Sequence, residues 1–202
     1  MKISKKLGIG VLSLGVLFSA APAGFAAEVP SKEGSTQETL NLSELSSEQL
    51  AEYNSLKSEG YIVSVLKDDS GIITLNGYKP VPSVASSNPG SIGIQAVVGD
   101  QTFSVRQAVY NGYTYMTTIT GNINVEYIGS TVYPRSDSLK IDRISVGGGP
   151  FKSYSAGNPG KVTMRFTLSQ KVGYTVRNVP FEVYFKISNT GKLTFSNPVA
   201  LK

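Results

Sequence analysis

The side chains able to do chemistry are few in this chain. Its 202 residues include no histidine and no cysteine. A Ser-His-Asp triad, a Cys-His dyad and a zinc site built from thiolates and imidazoles are therefore excluded. The commonest metal ligand and neutral-pH proton carrier is absent too. Ser64 and Lys67 have the Ser-x-x-Lys spacing used in penicillin-interacting enzymes, where the serine opens a helix and the lysine sits one turn on. Here the residues fall in a predicted strand, where an odd spacing turns the two side chains to opposite faces. No Lys-Thr-Gly triplet follows anywhere in the chain. The spacing is read as chance.

Paired carboxylates can cleave a glycosidic bond without histidine. From residue 80 onward the acids are Asp100, Glu126, Asp137, Asp142 and Glu182. Glu126 and Glu182 occupy polar positions of alternating strands, where the ordinary role is a solvated outer face. Asp68 and Asp69, with Ser70 and Gly71, come nearest to a calcium site. They lack the EF-hand spacing and its closing bidentate glutamate, so they read as a hairpin turn. Gly147, Gly148 and Gly149 lead into Pro150 and no helix, so they do not make a phosphate loop. Neither a cofactor nor a metal is expected.

The positive signal is a basic and tyrosine-bearing stretch. Arg135, Lys140, Arg143, Lys152, Tyr154, Lys161 and Arg165 form the candidate binding set, with Tyr133 beside them. Lysine and arginine attract polyanions, which outside a bacterial cell means anionic wall polymers and lipid headgroups. A tyrosine ring can lie flat on a sugar or at an interface. The plainer alternative is that these are solubilising charges. Nucleic acid is not an expected partner.

The address is read from residues 1–26. Lys2, Lys5 and Lys6 precede an apolar run from 7 to 21, and Gly24 and Ala26 stand at the −3 and −1 positions of a signal-peptide cut. The apolar run is too short and too glycine-interrupted to span a bilayer, and no later run approaches 18 apolar residues. Cleavage after Ala26 leaves a secreted bacterial protein, extracellular or loosely wall-associated, with no lipid anchor and no disulfide.

Charge divides the remainder. Residues 28–79 hold nine acids and four lysines, a balance of −5, whereas residue 80 onward holds twelve bases and five acids, a balance of +7. The proline- and serine-bearing stretch 80–91 reads as a linker. The acidic segment 27–79 then comprises a disordered polar start, a helix over 46–59 and a hairpin over 61–76. Ser46 and Gln49 supply a capping box, Leu45 and Leu50 a hydrophobic staple, and Gly60 the stop. Leu50, Tyr53 and Leu56 need an apolar partner. Two readings follow: the two halves are independently solvated modules whose charges balance for solubility, or this segment docks on the basic half and partly covers its binding face.

Residues 92–202 alternate in strand fashion: Ile123, Val125 and Tyr127; Val162, Met164, Phe166 and Leu168; Phe181, Val183, Phe185 and Ile187. Asn111 and Gly112 make the strongest turn signal, with positive φ expected at both. The fold class is mainly β. The pattern predicts an independently folding antiparallel β-sandwich, Ig-like in general architecture, with the small helix-plus-hairpin segment attached. A small closed barrel is the alternative.

The function that follows is non-enzymatic binding of an anionic cell-envelope polymer or another extracellular macromolecule. One alternative is a membrane-active toxin using the hairpin over 113–127, whose arms of roughly seven or eight residues fall short of the about 9–11 a spanning strand needs. The other is a carboxylate-dependent glycoside hydrolase.

Overall fold

The computed structural model describes residues 38–82, 99–142, 149–172 (backbone alone for 170–172) and 175–201. The expected signal peptide over residues 1–26, most of the expected linker and Arg143 lie outside these. Gly34–Lys202 forms one compact unit.

The acidic segment begins with β1 (Glu38–Thr39), a short 3-10 turn, and α1 (Ser47–Ser58). The capping box forms as expected: Gln49 N donates to Ser46 Oγ at 3.2 Å and Ser46 N to Gln49 Oε1 at 2.9 Å. The buried stripe of α1 differs from the expected one. Leu56 is fully buried and Tyr53 half-buried, but Leu50 is exposed and Gln49 takes the inward place. Gln49, Tyr53 and Leu56 sit at i, i+4 and i+7, which is the spacing that one helix face demands. Gln49 keeps its amide satisfied by donating to Gly112 O at 2.8 Å.

β2 (Ile62–Lys67) and β3 (Ile72–Val81) form the expected hairpin. Asp68 Oδ1 accepts from Ser70 N, Ser70 Oγ and Ile72 N at 2.7–3.0 Å, so the acid closes the turn. β3 runs on to Val81 and pairs residue by residue with β4 (Gly99–Asn111), from Ile72 opposite Asn111 to Val81 opposite Thr102. The change in charge near residue 80 is therefore not a change of packing unit. β5 (Thr114–Ile128), β6 (Thr131–Asp137) and β7 (Lys140–Ile141) complete a seven-stranded antiparallel sheet ordered β1-β2-β3-β4-β5-β6, with β7 also on β5. β8 (Phe151–Ser155), β9 (Gly160–Val172), β10 (Thr175–Ile187), β11 (Leu193–Phe195) and β12 (Val199–Ala200) make a second, five-stranded antiparallel sheet. The fold is thus mainly β with one α-helix among the described residues, and the sheets do not close into a barrel.

Two features move the local reading by a residue or more. The β4–β5 loop is Gly112 and Tyr113, with Asn111 already paired to Thr114; Gly112 has φ +57°. Gly112 N donates to Gly71 O at 3.0 Å, so a neighbouring turn fixes this one. β5 does not stop at Gly121 and Asn122. It passes straight through, because Gly121 lacks a side chain: a Cβ there would lie 2.6 Å from Ser138 O.

Alternation then sorts the residues into layers. Ile73, Leu75, Ala108 and Tyr110 face α1 in an outer cluster with Leu56 and Val65. The opposite face of the first sheet contributes Phe103, Val105, Ile119, Ile123 and Val125 to a larger cluster, which also holds Val162, Met164, Phe166, Val183, Phe185 and Ile187 of the second sheet. A polar thread crosses that cluster. Fully buried Gln107 donates to Asn76 Oδ1 and to Ser196 O, each at 2.8 Å, and Thr74 donates to Asn197 Oδ1 at 2.6 Å.

Candidate functional site

The structure spreads the six described members of the sequence-derived binding set over separate surfaces; the seventh, Arg143, lies outside the described residues. Arg135 is on β6, where its guanidinium pairs with Glu126 and lies 5.1 Å from the centre of the Tyr133 ring. Lys140, on β7, is exposed opposite Thr120. Lys152 and Tyr154 of β8 reach across to the other sheet: both bond the Asp137 carboxylate, which has no exposed side-chain surface. That carboxylate accepts the Tyr154 hydroxyl at 2.6 Å and Leu139 N at 2.8 Å. The Tyr154 hydroxyl is pushed up to about 12, first by this hydrogen bond, then by burial and by the Asp137 charge. This group of contacts ties an edge of one sheet to an edge of the other.

Lys161 and Arg165 lie together on the outer face of β9. Arg165 Nε donates to Glu182 on β10, and the Tyr184 hydroxyl donates to the other oxygen of that carboxylate. Lys161 Nζ stands 4.9 Å from the centre of the Tyr184 ring. Glu182 and Tyr184 are buried although they face outward, because the basic side chains cover them. Lys186 directly opposes Lys161 across the strands. Sequence alternation showed that Lys186 points away from the core but not what stands beside it.

The carboxylates that a hydrolase would need are held apart. Glu126 is engaged by Arg135 on the first sheet and Glu182 by Arg165 on the second. An open groove of about 600 Å³ runs between α1 and the outer face of the first sheet, lined by Glu48, Glu52, Arg106, Tyr110, Tyr115 and Asp142 among others. Its charges largely satisfy one another. Arg106 Nη2 donates to Glu52 at 3.0 Å, and Asp142 accepts from Tyr115 Oη, Thr117 Oγ1 and Thr118 N. Burial, then Glu52 and Glu48, push the Tyr110 hydroxyl up to about 12, against a smaller opposing effect of Arg106. The groove is the seam along which the helix is fastened.

The β4–β5 hairpin has arms of 13 and 15 residues, longer than its sequence pattern indicates. Its alternate residues Ile119, Ile123, Val125 and Tyr127 are buried in the core rather than offered to lipid. No described helix is long and apolar enough to cross a membrane.

Charge divides unequally between the sheets. Residues 38–142, which build α1 and the first sheet, carry eleven acids and six bases; residues 151–201, which build the second sheet, carry seven bases and one acid. Comparison of the chain with protein-family models, curated proteins and solved structures found no match.

Proposed function

We propose that this is a secreted, non-enzymatic binding protein in which two sheets pack face to face as a sandwich of Ig-like general architecture. Its second sheet docks an anionic cell-envelope polymer. The observation that carries this reading is the charge of that sheet, +6 over residues 151–201 against −5 over residues 38–142. A surface so polarised steers a polyanion to one side of the molecule. The shared apolar cluster supports the sandwich, since one layer of side chains from each sheet meets in it. The acidic segment docks as its sequence requires, but on the first sheet through Leu56 and Tyr53. Among the described residues its packing is against the first sheet.

The test is co-sedimentation of the mature protein with purified wall, wall stripped of its anionic polymer, and anionic liposomes, each at low and high salt. Binding to intact wall alone, weakened by salt, is the expected result. Sedimentation that is unaffected by stripping, or release of dye from the liposomes, refutes it.

A further inference from the structure

The geometry points to a second ligand site, on the first sheet and independent of the polyanion reading. The open groove between α1 and β4–β5 takes an amino sugar, its ammonium on Glu48 and a neighbouring hydroxyl on Tyr110. A volume of about 600 Å³ gives room for a small organic ligand. The lining carries three carboxylates, Glu48, Glu52 and Asp142, against one guanidinium, Arg106. Arg106 cancels the charge of Glu52, which it meets at 2.9 Å. Asp142 accepts from Tyr115, Thr117 and Thr118, neutral donors that leave its charge in place. Glu48 is exposed and has no hydrogen bond or ion pair among the described residues. The surplus negative charge draws a cation into the groove. Among the described residues no three of these acids are grouped so as to hold a metal ion, so the cation that suits them is organic.

Tyr110 indicates the body of the ligand. Its side chain is only 2% exposed and lines the groove, yet its hydroxyl has no hydrogen-bond partner among the described residues. The oxygen is not sealed from solvent, so it opens into the groove. Burial, then Glu52 and Glu48, keep this hydroxyl protonated across the neutral range. It is therefore a donor in want of an acceptor, beside a carboxylate in want of a donor. An amino sugar carries the complementary pair, an ammonium and a hydroxyl on adjacent carbons. The ammonium donates to Glu48, and the hydroxyl oxygen accepts from Tyr110. Tyr110 and Tyr115 stand edge to face with ring centres 5.7 Å apart, an aromatic wall for the C–H face of the sugar.

The test is titration calorimetry of the full mature protein at low salt with glucosamine, N-acetylglucosamine and putrescine. Glucosamine should bind more tightly than either of the others, because one lacks the ammonium and the other the hydroxyl. E48Q should weaken glucosamine binding about tenfold, the loss of one charge-assisted contact. Y110F keeps the ring and should weaken it about fivefold. D69N removes the same charge from an exposed turn outside the groove and should stay within about twofold of wild type. Melting curves report whether each variant is folded; should Y110F melt early, E48Q decides alone, since Glu48 is exposed. No heat from glucosamine at about 10 mM overturns the proposal. Equal affinity for N-acetylglucosamine overturns the ammonium contact, and equal affinity for putrescine overturns the sugar. Wild-type affinity in E48Q, or an equal loss in D69N, overturns the site. None of these outcomes alters the wall sedimentation, which tests the other sheet.

Discussion

Deleting residues 27–79 should unfold the basic half rather than liberate it. The deletion removes α1, β2 and most of β3, and with them the ladder that pairs β3 to β4 over Ile72–Val81. Six apolar side chains buried in the native structure go with it: Leu40, Leu56, Val65, Ile72, Ile73 and Leu75. At roughly 2 kcal/mol for each buried side chain, the loss is about 12 kcal/mol. That is an upper figure, because an unfolded chain already hides part of this surface. It is nevertheless comparable with the whole stability of a domain, about 5–15 kcal/mol. What remains is β4 with an open edge, exposing Ala108 and Tyr110 on one face. Far-ultraviolet circular dichroism, urea titration and amide exchange of the 80–202 fragment are the measurements. No cooperative transition and unprotected β4 amides are expected, with recovery when a peptide covering 38–82 is added. A single cooperative transition in the fragment alone, with its β4 amides protected, would refute the reasoning.

Two further outcomes follow from individual contacts. Gln49→Ala loses the bond to Gly112 O and half of the capping box, and should lower stability by about 1–3 kcal/mol in urea titration; an unmoved midpoint contradicts the role given to this side chain. Tyr154→Phe should change the alkaline limb of stability. Its hydroxyl titrates near 10 when unfolded and at about 12 when folded, so the contribution is complete below about pH 10 and is lost as pH rises through the folded value. Because Tyr154 is 46% exposed, solvent screening reduces the size of the effect. The variant's urea midpoint should fall less steeply than wild type between about pH 10 and pH 12, and identical slopes would count against the Asp137 contact.

Several features were legible in the residues themselves because they depend on neighbours in sequence. The missing histidine and cysteine, the capping box at Ser46 and Gln49, and the alternation of Val162 to Leu168 and Phe181 to Ile187 are local facts. So is the mainly β class, since a period of two admits little else. Extent was harder to read. β5 continues through Gly121 only because the Ser138 backbone passes where a side chain would be. β1 lies at the end of a stretch read as disordered, where Glu38 and Thr39 gain an edge of β2 to pair with.

What the sequence could not decide is partnership between distant segments. The inward place of Gln49 depends on a carbonyl 63 residues away. The candidate binding set looked like one patch because its members are close along the chain, yet strand pairing sends Arg135 to one sheet, Lys152 to a junction and Lys161 to another face. Conversely, Lys161 and Lys186 are 25 positions apart in sequence and become neighbours only through the β9–β10 register. A shift of that register by one residue would turn every side chain of one strand to the other face. Residue types and local spacing therefore fixed what chemistry was possible and which segments were strands, while the long-range pairing of backbone amides and carbonyls decided which charges meet.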